Sequence, residues 1–87
     1  MFMNVFFENI SVHNKLLELG LDSEQLDDEF MLTIDDENEK FNEVIKLFKN
    51  SDCIDSLYNA IENYYGELGE EPNPSKQDEI LNKIELC

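Results

Sequence analysis

The chain has 87 residues, 41% of them hydrophobic, and 21 acids against six lysines give it a formal net charge of −15, with no arginine. So short a chain has room for one core and hence one domain, and it is too apolar for a disordered acidic tail. The charge excludes direct binding to nucleic acid or to an anionic membrane, and it favours basic protein surfaces.

Residues 1–21 read first as a helix from about residue 4 to 19. Phe6, Ile10, His13 and Leu17 then share a face, Gly20 stops the helix, and Leu21 is placed for a Schellman ending. In the alternative reading, Phe2 to Phe7 is a short strand and the helix begins only at Ser11. His13, the only histidine, falls on a mostly apolar face and is expected to pack there. The opening segment has no basic region, long apolar stretch or small-residue cleavage site, so it does not read as a signal peptide. No run is long and apolar enough for a membrane span, and the expectation is a soluble, cytoplasmic protein.

Residues 22–35 read as an acidic, irregular connector, although Phe30 to Ile34 has a strand-like composition. From Asp36 the pattern is clear. Phe41, Val44, Ile45 and Phe48 recur at i, i+3, i+4 and i+7, which predicts a helix over 36–49 with Asp36 as N-cap and Glu39 completing a capping box. Ser51 is expected to cap the next helix, 52–66, whose stripe is Ile54, Leu57, Tyr58, Ile61, Tyr65 and Leu68. Gly66 and Gly69 weaken its end, and Glu70 to Pro74 reads as a linker. Asn73 then caps a final helix, 74–86, with Pro74 at its first position and Ile80, Leu81 and Ile84 facing inward. The predicted fold class is therefore all-α, a small antiparallel bundle of four helices. The runner-up is an α+β fold with a two-stranded ribbon from 2–7 and 29–34.

Motifs for chemistry are lacking. An EF-hand loop starting at Asp35 or Asp36 would put Lys40 or Phe41 where glycine belongs, and Lys46 or Leu47 where the bidentate glutamate belongs. Cys53 and Cys87 have no zinc or disulfide spacing. No nucleophile–histidine set and no glycine-rich phosphate loop occurs. No catalytic residue, metal or cofactor is expected, and the chain is not expected to be an enzyme.

What stands out is the acids, ten of which fall between Asp22 and Glu43. The candidate partner-binding residues are Asp27, Asp28, Glu29, Asp35, Asp36, Glu37, Glu39 and Glu43, with Glu62, Tyr64 and Glu67 near the end of the third helix. Clustered carboxylates on a rigid scaffold imitate a nucleic-acid backbone and steer a basic protein. A tyrosine beside them suits an interface, because the ring supplies area and the hydroxyl a hydrogen bond. The expected partner is a basic nuclease or nucleic-acid-binding protein. The setting is either toxin neutralisation by an immunity protein or a phage-encoded nucleic-acid mimic, with the former preferred. The rival reading is a regulatory module that binds through an apolar groove.

Overall fold

A computed structural model describes residues 2–87. In chain order it contains β1 (Phe2–Phe7), α1 (Ile10–Glu18), β2 (Asp22–Gln25), β3 (Phe30–Asp35), α2 (Phe41–Asn50), α3 (Ile54–Tyr65) and α4 (Pro74–Leu86). The three strands form an antiparallel sheet in the order β1-β3-β2. This is an α+β fold, which corrects the all-α bundle. The ribbon reading fits: β1 and β3 pair in register from Phe2 opposite Asp35 to Phe7 opposite Phe30.

The physical reason lies in the first seven residues. Met3, Val5 and Phe7 are buried, while Phe2, Asn4 and Phe6 between them are exposed. That is the period of two of a half-buried strand. A helix through the same residues would have needed Phe6, Ile10 and Leu17 on the inner face, yet all three are exposed. Instead the chain breaks at Asn9, whose side chain accepts from the N–H groups of Ser11 (2.9 Å) and Val12 (3.2 Å) and starts α1 there. Val12, His13 and Leu16 then face inward. The predicted ending of α1 is present: Gly20 has φ +79°, and the N–H groups of Gly20 and Leu21 donate to the carbonyls of Leu17 and Leu16, each at 3.0 Å.

The expected irregular connector is a hairpin. β2 has no apolar alternation to announce it; its one inward residue, Ser23, lies 2.7 Å from Nδ1 of His13, whose ring stacks on Phe30 at 4.4 Å. The histidine thus ties α1 to the sheet. The sheet's inner face (Met3, Val5, Phe7, Phe30, Leu32, Ile34) packs with α1, α2 and α3 into one core. Phe7 meets Phe48 of α2 edge-on at 5.4 Å.

α2 buries its predicted stripe but begins at Phe41, not at residue 36. The side chains of Asp35 and Asn38 accept from the N–H groups of Glu37 (3.0 Å) and Lys40 (2.8 Å), and these local turns compete with the helix for the same donors. Asp36 is therefore no N-cap. Nor does Ser51 cap α3: it ends α2, with Asp52 at φ +56° and the N–H of Cys53 donating to Phe48 at 3.0 Å, a second Schellman-type closure. Within α3, Tyr58 is exposed, and Leu68 lies beyond the helix.

The chain after α3 is a structured return. The carbonyls of Glu62, Asn63, Tyr64 and Tyr65 accept from the N–H groups of Gly66, Glu70, Glu71 and Asn73, so every last-turn acceptor of α3 is satisfied. A Cβ on Gly66 would stand 2.3 Å from the Glu62 carbonyl oxygen, which explains glycine there. Asn73 caps α4 as expected, accepting from the N–H of Lys76 at 3.1 Å.

Candidate partner-binding surface

Of the 21 acids, eighteen are exposed, Glu29 and Asp35 are half-buried, and Asp36 is buried. The lysines behave oppositely. Four of the six (Lys40, Lys49, Lys76 and Lys83) are half-buried, with their ammonium groups engaged inside the fold. Lys40 donates to the carbonyl of Leu19, which caps α1. Lys49 donates to Ile84 and, at 3.0 Å, to Cys87, the last carbonyls of α4. Each cation thus serves the negative end of a helix. Lys83 reaches the Asp36 carbonyl at 3.3 Å and lies 5.8 Å from the centre of the Phe41 ring. Lys15 and Lys46 remain exposed. Folding turns most of the positive charge inward and leaves an almost wholly anionic exterior.

The topology divides the candidate acids between two ends of the sheet. Six residues of β3 span about 20 Å, with the Asp27, Asp28 and Glu29 turn before them and Asp35 at their close. At the far end the acidic turn meets the end of α3: Asp35, Asp36, Glu37, Tyr65, Asn73 and Lys76 line one small recess of about 230 Å³. Glu37 and Glu39 continue along the rim of a neighbouring groove against Leu19 to Leu21. Glu43 is exposed on the first turn of α2, and Glu62 and Glu67 border Leu68 after α3.

Asp36 differs from the other ten candidates. Its side chain is withdrawn into the protein, where Oδ2 lies 2.8 Å from the Lys76 ammonium and Oδ1 is a long 3.5 Å from the Tyr65 hydroxyl. It holds the fold together and presents no carboxylate to a partner. The contact keeps the Lys76 pKa above its ordinary value. Burial, and then Asp36, pushes the Tyr65 hydroxyl up to about 12. Asp35 remains at the surface end of β3, held below the usual carboxylate range chiefly by the Glu37 N–H.

Tyr64 is half-buried, packed edge-on against Tyr65 at 4.7 Å. Partial desolvation raises its pKa, and Glu71 and Glu70 add to this. Its acidic neighbours are therefore the two glutamates of the return loop. They follow a glycine turn, which made them read as linker.

The other end of the sheet holds acids that sequence spacing did not unite. Glu29 shares a groove of about 470 Å³ with Glu8, Asp52 and Asp55, contributed by the β1–α1 junction and the start of α3. Cys53 lies in the same groove, its thiol pushed up by burial and then by Asp52, which opposes nucleophilic reactivity. Among the described residues, no three His, Cys, Asp or Glu side chains are grouped so as to hold a metal ion. Among the same residues no helix is long and apolar enough to cross a membrane. No protein-family model matches the chain, and no curated protein or solved structure is significantly similar to it.

Proposed function

We propose that this chain is a small acidic inhibitor that binds a basic, nucleic-acid-handling protein in the cytoplasm and blocks its working cleft. The carrying observation is the segregation of charge: eighteen exposed carboxylates outside, with four of six ammonium groups bound to internal acceptors. A rigid anionic exterior accelerates encounter with a basic cleft and competes with phosphates for the same lysines and arginines. The preferred setting is an immunity protein that neutralises a nuclease toxin. The division of the acids between two ends of the sheet, about 20 Å apart by strand length, supports a second setting, a nucleic-acid mimic aimed at a defence nuclease. An extended cleft would contact both ends.

The test is capture from the native host followed by an activity assay on the captured protein. The expected partner is basic and loses its action on nucleic acid when this chain is added. A triple variant, Asp27→Lys, Glu37→Lys and Glu39→Lys, changes only exposed positions, so it should keep its helicity and lose the inhibition. Full inhibition by that variant would overturn the proposal.

A further inference from the structure

The outer face of the sheet is not the polar surface that an antiparallel sheet normally turns to water. Its centre conforms, since Thr33 Oγ1 donates to Asn4 Oδ1 at 3.0 Å. Phe2 and Phe6, two places to either side of Asn4 on the edge strand β1, point the same way and are 63% and 47% exposed. Met31, opposite Phe6, extends the apolar strip onto β3. From Phe6 the strip runs into a groove of about 200 Å³ between β1 and α3, lined by Asn4, Ala60, Asn63, Tyr64 and Glu70.

Carboxylates flank this strip. Asp22 and Glu24 stand on the β2 side, in the rows of Thr33 and Met31; Asp35 lies opposite Phe2, and Glu70 closes the α3 side. An aromatic centre inside a polar, charged rim is the anatomy of a protein interface. Rim charges set the rate of encounter, and a desolvated aromatic centre sets the rate of escape. The acids also select the occupant. A second copy would press like charges together, with −15 on each chain.

We infer that the outer face of β1, continued into the β1–α3 groove, is the contact centre for a partner segment in which apolar side chains alternate with lysines or arginines. The inference rests on the inhibitor reading and names the place where that inhibitor would grip.

Two peptide probes of equal charge test it, one alternating Lys and Leu, the other Lys and Gly, each titrated into isotope-labelled protein followed by NMR at low salt. Both should bind, and the Lys–Leu peptide should bind about tenfold more tightly and shift the amides of β1, Met31 and Tyr64. Phe2→Ser and Phe6→Ser should each abolish that preference while leaving Lys–Gly binding unchanged; both rings are exposed, so unshifted core amides will verify the fold. Equal affinities, or shifts confined to other surfaces, would overturn the inference and leave the acidic-inhibitor reading standing. Failure of both peptides to bind would overturn both. A dimer in high salt that Phe6→Ser dissociates would assign the face to a second copy, and that too would overturn the inference.

Discussion

Replacing Lys49 by methionine deletes one ammonium and keeps most of the stem's apolar volume. In the folded protein that ammonium joins α2 to the last carbonyls of α4, at Ile84 and Cys87. A hydrogen bond to a charged group contributes about 1.5–3 kcal/mol when sheltered, and a cation at a helix C-terminus adds about 0.3–1 kcal/mol. Lys49 is half-buried and the Cys87 contact is exposed, so the expected loss is about 2 kcal/mol in all. The control is Lys46→Met, one turn earlier on the same helix and exposed. Both variants move the net charge from −15 to −16, and only the first breaks an internal contact. Urea unfolding followed by circular dichroism separates them. With a slope of about 1 kcal/mol per molar urea for a small domain, Lys49→Met should lower the midpoint by about 2 M and Lys46→Met by a few tenths. Equal shifts would make charge alone, and not inward anchorage, the lysines' contribution, and would contradict the role given to Lys49.

The net charge should make stability rise with salt. Spreading −15 over a sphere of the molecule's size, less the repulsion within the expanded unfolded chain, gives about 5 kcal/mol as an upper figure between about 0.01 and 0.15 M salt, so a rise in Tm of up to about 20 °C is expected and a flat profile would contradict it. The Tyr65 hydroxyl, ordinarily near 10 and raised to about 12 in the fold, favours the folded state in its neutral form. That stability is whole below about pH 10 and is lost as pH climbs through about 12; Tyr65→Phe should flatten the fall in Tm over this range, and an unchanged slope would argue against it. Gly66→Ala places a methyl against the Glu62 carbonyl and should cost about 2–3 kcal/mol in chemical denaturation. Gly20→Ala meets open space and should cost only the left-handed backbone strain, about 1 kcal/mol; the reverse order would be inconsistent with the structure.

Helix signals were legible where caps and stripes agreed. Phe41, Val44, Ile45 and Phe48 are buried as their spacing requires, and the ending at Gly20 and the start at Asn73 are in place. The first strand was masked because Phe2 and Phe6, apolar yet outward, blurred the alternation of Met3, Val5 and Phe7. β2 had no hydrophobic signal at all, since its inward residue is Ser23, bonded to the histidine. The capping box failed because a carboxylate at position 36 has a stronger partner in Lys76 than in any N–H nearby. That pairing lies forty residues away in sequence and is invisible to local pattern. The same distance effect hid the grouping of Glu29 with Glu8, Asp52 and Asp55, whereas the overall excess of exposed acid could be counted directly.

The most direct measurement of charge-driven recognition is the association rate with the captured partner, followed by stopped flow as salt rises. A fall of about tenfold or more between about 0.05 and 0.5 M salt is expected, with the dissociation rate nearly constant. An association rate indifferent to salt would contradict the idea that the carboxylates bring the partner in.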